Sequence, residues 1–105
     1  VIRAEKCLTF LNEKESEIEF PEWINPSWHN CLVGCMRCQV VCPLNKKVNK
    51  KIEIGPTFTE MQTKELLTNK SIEGLSEDLV TKMKEYDILY FYEVIPRNLK
   101  TILNQ

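Results

Sequence analysis

Residues 31–45 read CLVGCMRCQVVCPLN. It holds four of the five cysteines, Cys31, Cys35, Cys38 and Cys42, within twelve residues, and Pro43 follows the last. The fifth, Cys7, lies far upstream. An odd count argues against a framework built only of disulfides. So does the clustering, because secreted scaffolds spread their bridges along the chain. Inert buried thiols would not be packed four to a segment. Thiolate ligation of a metal in the reducing cytoplasm is the better reading.

Bulk properties set the frame for that site. The chain has 105 residues, 43% hydrophobic and 28% charged, which suits one globular domain with a modest core. A net charge of -1 gives no global electrostatic case for nucleic acid or a membrane surface. No apolar run approaches the ~20 residues of a membrane span. The N-terminal stretch VIRAEKCLTFLNEKE has neither an initiator Met nor the apolar core of a signal peptide, and the expectation is a piece of a longer protein. With three glycines in the chain, a phosphate-cradling loop is not expected, and no Ser/His/Asp set stands out.

Outward from the cysteines, the pattern is helical. Residues 4–12 carry Cys7, Leu8, Phe10 and Leu11 on one face of a short helix. Glu13 to Glu19 reads as a solvated loop. PEWINPSWHN, residues 21–30, should be irregular because each proline removes a donor and restricts its predecessor, with Trp23 and Trp28 as packing anchors. Cys38 to Val48 reads as a helix broken near Pro43, followed by a solvated face of Lys46, Lys47, Lys50 and Lys51. Gly55-Pro56 marks a break. Thr57 to Glu60 matches a capping box with Met61, Leu66 and Leu67 behind it. Ser76 is the expected N-cap of a helix over 77–86 that buries Leu79, Val80 and Met83. Residues 87–94 are expected to form a short, well-buried helix. Pro96 opens a last helix that buries Leu99, Ile102 and Leu103.

The bacterial ferredoxin run is C-x2-C-x2-C-x3-C-P, in which closely spaced thiolates reach neighbouring irons of a 4Fe–4S cube. Cys35-x2-Cys38-x3-Cys42-Pro43 matches its last three positions. The first would fall on Leu32, so Cys31 stands one residue early. Either Cys31 serves with a longer spacer, or the missing ligand is the remote Cys7. A structural zinc site is the alternative: Cys35-x2-Cys38 is a fair knuckle that Cys7, Cys31, Cys42 or His29 could complete. Zinc sites usually pair two knuckles, however, and one C-x2-C is present. His29 reads as a surface or hydrogen-bonded residue. A redox dithiol at Cys35 and Cys38 lacks the βαβ context of thioredoxin-like motifs.

Two motifs extend the reading. Cys7-Leu8-Thr9-Phe10-Leu11, and Gly34-Cys35-Met36-Arg37-Cys38-Gln39-Val40-Val41-Cys42-Pro43-Leu44-Asn45 after it, resemble the second half of the double 4Fe–4S domain of the epoxyqueuosine reductase family. The resemblance covers roughly residues 5 to 46. It implies that Cys7, Cys35 and Cys38 bind one cube and that Cys42 crosses to a second. It leaves Cys31 as a possible alternative ligand without a family role. Two cubes need eight thiolates and this chain has five cysteines, so the resemblance implies an upstream domain of the same parent chain carrying the rest. The family's cobalamin-binding region is likewise absent from this sequence. A redox partner protein is implied, and tRNA enters by the resemblance alone.

The expected fold is mainly α: a small irregular ferredoxin-like iron–sulfur half-domain at 1–52, followed by a helical tail at 53–105. The expected function is electron transfer by a 4Fe–4S cluster in a C-terminal part of a larger oxidoreductase. Such a chain is not catalytic by itself, because the cofactor carries the chemistry.

Overall fold

A computed structural model describes residues 3–51, 53–68 and 71–104. Every regular element among them is helical, so the fold is mainly α as expected. Five α-helices, α1 Leu8–Asn12, α2 Arg37–Val41, α3 Glu60–Thr68, α4 Glu77–Glu85 and α5 Ile95–Leu103, are joined by loops and single 3-10 turns. Among the described residues no helix is long and apolar enough to cross a membrane.

The core lies between α3, α4 and α5. Leu66, Leu79, Met83, Ile95 and Leu99 form one buried cluster. Leu79, Met83 and Ile95 have no solvent exposure. Burying each such side chain contributes about 1.5–3 kcal/mol. Leu32 and Val33, from the middle of the cysteine stretch, pack against this same cluster. The second half of the chain therefore supports the loop that carries the thiols.

The start of α3 differs from its expected position. The capping box of α3 is Thr59 with Gln62: the Gln62 N–H donates to Thr59 Oγ1 at 3.1 Å, and the Thr59 N–H donates to Gln62 Oε1 at 3.0 Å. Thr57 with Glu60 does not form it. Glu60 instead sits in the first turn and accepts from Lys64 Nζ at 2.7 Å, four residues on. Met61 falls on the outer face and is exposed, as is Leu67 in part, which leaves Leu66 as the buried residue of α3. Ser76 is the N-cap residue of α4 as expected, but its side chain makes no cap bond. Its backbone N–H donates to Glu65 Oε2 at 2.8 Å, so α3 helps to seat the start of α4.

Residues 87–94 do not continue as a buried helix. Asp87, which follows Tyr86, the C-cap of α4, takes a left-handed conformation, φ 56°. The Ile88 N–H then donates to Met83 O at 2.9 Å and the Asp87 N–H to Lys84 O at 3.1 Å. That pair of bonds closes the helix as a Schellman motif. A 3-10 turn, Leu89–Phe91, comes next, with Tyr90 87% exposed. Pro96 stands in the first turn of α5, as its missing N–H favours. Leu99 is buried there, Ile102 partly so, and Leu103 is exposed.

At the front of the chain, the helix expected over 4–12 is interrupted. Ala4–Lys6 is a 3-10 turn, Cys7 is extended (φ -85°, ψ 126°), and α1 begins after it. Cys7 is thus the N-cap residue of α1, and the face buried by that helix is Leu11 and Asn12, with Phe10 half exposed. The break expected near Pro43 is present: α2 stops at Val41 and a 3-10 turn begins at Pro43.

Candidate functional site

Twenty-seven residues separate Cys7 from Cys35, and polar side chains from two parts of the chain, the end of α1 and α5, close that gap. Asn12, at the end of α1, donates from Nδ2 to the Gly34 carbonyl at 2.9 Å. Gly34 adopts φ 78°, a left-handed conformation open to glycine at no steric cost, and so turns that carbonyl toward α1. From α5, Asn98 Nδ2 donates to the Asn12 carbonyl at 3.1 Å and to the Leu32 carbonyl at 2.7 Å. Asn12 and Asn98 have no solvent exposure.

Arg97 secures the same junction. Its Nη2 donates to the Leu11 and Asn12 carbonyls, at 3.2 and 2.8 Å. Its Nη1 donates to Glu15 O and Ile18 O, at 2.9 and 2.8 Å, and its Nε to Asn98 Oδ1 at 3.2 Å. A guanidinium has five N–H donors, and here each has an acceptor. The positive group also closes the C-terminal end of α1, where the carbonyls point outward. The Phe20 ring stacks on it at 4.5 Å, and burial pulls the Arg97 pKa down from its ordinary value.

The result is a pocket of about 270 Å³ bordered by Cys7, Cys35 and Cys38. Leu8, Thr9, Trp23, Ile24, Trp28 and Arg37 complete most of its wall. Cys31 and Cys42 do not line it. Trp23 and Trp28 are half exposed, at 50% and 43%. They wall the pocket, and the expectation that they anchor the loop by core packing is corrected. The buried anchors of residues 21–30 are Ile24 and His29. His29 is therefore not a surface residue. Its ring meets Phe20 edge-on at 4.5 Å, and burial together with the nearby Arg97 charge lowers its pKa. The loop is held locally by Asn25, whose Oδ1 accepts from the Ser27 N–H, and by Arg37, which donates to Trp28 O and Ser27 O.

Hydrogen-bond donors stand beside the sulfurs. Asn30 Nδ2 lies 3.4 Å from Cys35 Sγ, and Gln39 Nε2 lies 3.9 Å from Cys38 Sγ. Asn45 and Asn49 donate to the Gln39 carbonyl, at 3.3 and 3.2 Å, and Asn49 also to Val40 O, so the C-terminal end of α2 is closed by side chains. Cys31 Sγ donates to Asn30 Oδ1 at 3.0 Å. Burial and the neighbouring Cys35 raise the Cys31 pKa, against a backbone hydrogen bond at Met36 that lowers it. Cys42 caps α2 with an extended backbone and leads into Pro43, between the exposed Val41 and Leu44.

All five thiols are free. Among the described residues no three Cys, His, Asp or Glu side chains are drawn together as a ready metal-binding group. The donor chemistry nevertheless fits an iron–sulfur cube: three soft thiols border one largely apolar pocket, and amide N–H groups face two of the sulfurs. Lys46, Lys47, Lys50 and Lys51 are exposed.

Over 60 residues, 57% of its length, the chain is 32% identical to epoxyqueuosine reductase of Atelocyanobacterium thalassa (isolate ALOHA). It spans 20% of the length of that protein. The likeness relates the chain to the same family that its cysteine motifs resemble. No family profile matches the chain. No solved structure matches it.

Sequence reasoning missed Asn12, Asn30, Arg97 and Asn98. One signal was available for Asn98. It stands between Ile95, Leu99 and Ile102, on the face that α5 turns to the core, where a polar residue needs partners. The others carried no comparable mark.

Proposed function

We propose that this chain is a 4Fe–4S cluster-binding, electron-transfer module of a larger iron–sulfur oxidoreductase related to epoxyqueuosine reductase. Cys7, Cys35 and Cys38 are the ligands to one cube, and Cys42 is directed to a second whose remaining ligands belong to an upstream domain of the parent chain. The observation that carries this reading is the common pocket of Cys7, Cys35 and Cys38, two of them close in sequence and one remote. It agrees with the ligand set that the resemblance implies. Neither Cys31 nor Cys42 borders that pocket.

When bound, a cube relays one electron at a time. The chain's own residues hold and tune it. The thiols donate charge. Asn30 and Gln39 offer N–H groups to Cys35 and Cys38, and such bonds offset negative charge on sulfur. Trp23, Ile24 and Trp28 lower the local polarity of the wall. Asn12, Asn98 and Arg97 fix Cys7 against the Cys35 loop, so the ligands are held by a scaffold whose core lies elsewhere. The partners under this reading are the upstream domain and a redox protein. Any tRNA contact belongs to the whole parent protein.

Anaerobic reconstitution with iron and sulfide tests the proposal. The expected result is a broad visible charge-transfer absorbance with bound iron and acid-labile sulfide, retained in Cys31→Ser and lost in Cys7→Ser. No absorbance even with the upstream half restored, or stoichiometric zinc without iron after anaerobic purification, would overturn it.

A further inference from the structure

Cys31 remains outside the pocket, yet one side chain connects it to a pocket sulfur. The Asn30 amide is engaged at three points. Its Nδ2 donates to the Trp28 carbonyl at 3.0 Å and to Cys35 Sγ at 3.4 Å. Its Oδ1 accepts from Cys31 Sγ at 3.0 Å.

We propose that Asn30 is a positioning residue that aims an N–H at the Cys35 sulfur, and that Cys31 is the donor that keeps the amide facing that way. The chemistry is asymmetric. Turning the amide over by half a rotation would set Oδ1 against the Cys35 sulfur and the Trp28 carbonyl, both acceptors. It would also set the N–H groups against the Cys31 thiol and remove its acceptor. The Trp28 carbonyl is itself fixed, because it also accepts from Arg37 Nε at 3.2 Å. Two acceptors on one side and one donor on the other therefore define a single orientation. A hydrogen bond from a neutral amide strengthens when its acceptor becomes a thiolate. Such a bond to a ligating sulfur favours the more negative, reduced state of an attached cluster. In this way Cys31 has a role that needs no iron. Its early position in the run, adjacent to Asn30 instead of at residue 32, follows from that role.

The effect on a cluster rests on the function proposed above, whereas the orientation of the amide does not, so two measurements separate them. The first uses the full chain without iron. Nuclear Overhauser contacts between the Asn30 side-chain N–H protons and the Cys35 β-protons are expected in the unsubstituted chain. They should be weakened in Cys31→Ala, where the Trp28 carbonyl and the Cys35 sulfur alone still hold the amide, and restored in Cys31→Ser, whose hydroxyl still donates. Contacts absent from the unsubstituted chain, or unchanged in Cys31→Ala, would overturn the inference whatever the chain binds.

The second uses the reconstituted chain. Asn30→Ala and Cys31→Ala should keep their iron and sulfide content and shift the reduction potential to more negative values. Cys31→Ser should return the potential close to that of the unsubstituted chain. Loss of iron in both Cys31→Ala and Cys31→Ser would make Cys31 a ligand and overturn the inference. An unshifted potential in Asn30→Ala would do the same. Failure of the unsubstituted chain to take up iron, with the amide contacts intact, would sink the iron–sulfur reading and leave the orienting role of Cys31 in place.

Discussion

Asn98 donates to the carbonyls of Asn12 and Leu32, at 3.1 and 2.7 Å, and so ties α5 to both stretches of chain that carry the pocket thiols. Its Oδ1 accepts from Arg97 in turn. Replacing Asn98 by Ala leaves the Leu32 carbonyl without this donor, while the Asn12 carbonyl keeps its bond from Arg97, and an unsatisfied buried group costs about 1–3 kcal/mol. Asn98→Ala should lower the denaturation midpoint accordingly. It should also loosen Cys7 relative to Cys35, read as a smaller yield of reconstituted cluster per folded chain. Asn98→Ala with unchanged midpoint would show that Asn98 does not hold the junction.

Arg97 tests the same junction through charge and shape. Lysine keeps the positive charge but has three donors on one atom and no planar fork. Arg97→Lys should therefore destabilise the chain by roughly 2 kcal/mol, because a single ammonium cannot serve acceptors spread from Leu11 to Ile18. Chemical denaturation measures this. Full retention of stability in Arg97→Lys would reduce the role of Arg97 to its charge alone.

Gly34 separates backbone strain from crowding. A Cβ added there meets no atom within 4 Å, but the φ of 78° disfavours any side chain. Gly34→Ala should cost about 1–2 kcal/mol, the penalty of a left-handed residue. If the strain is relieved by rotating the Gly34 carbonyl, its bond from Asn12 is weakened too, and an amide hydrogen-exchange map would show α1 opening more often.

The start of α3 distinguishes two threonines. Thr59→Ala removes the side-chain acceptor of the Gln62 N–H and should cost about 1 kcal/mol. Thr57→Ala should be nearly neutral, because Thr57 contributes its backbone carbonyl, which accepts from Lys82 Nζ at 2.7 Å. Thermal unfolding of the two variants side by side decides between them. A larger loss in Thr57→Ala would move the cap back to the first threonine.

His29 gives the chain a pH dependence with a defined sign. Burial first, and the Arg97 charge second, lower its pKa below the ordinary 6.5. The unfolded chain thus binds a proton more readily than the folded one. Stability from this residue is fully present above the unfolded pKa and declines as pH falls from there toward the folded value. It is the chain's single histidine, so His29→Gln should flatten the change in denaturation midpoint across that acidic window. An identical slope in the variant would assign the effect to carboxylates.

The sequence alone determined the helical class, because apolar residues recur at helical spacing in 77–86 and 97–104 and glycine is scarce. It also determined the local chemistry of Cys35, Cys38 and Cys42-Pro43, since those residues are close in the chain and need no tertiary structure to be neighbours. Covalent spacing is legible for that reason. The meeting of Cys7 with Cys35 was implied by a resemblance, but its physical cause lay in Asn12, Gly34, Asn98 and Arg97, and their bonds join residues up to 86 positions apart. Such bonds leave little trace in local pattern: an asparagine in a solvated loop and one buried in a junction look alike until the chain closes around them. The same holds for the tryptophans. Trp23 and Trp28 are the packing anchors that the sequence leads one to expect, while the tertiary structure buries Ile24 and His29 and leaves the larger rings to wall the pocket. Burial is settled by which face of a loop meets the rest of the molecule, and only the folded chain defines that face.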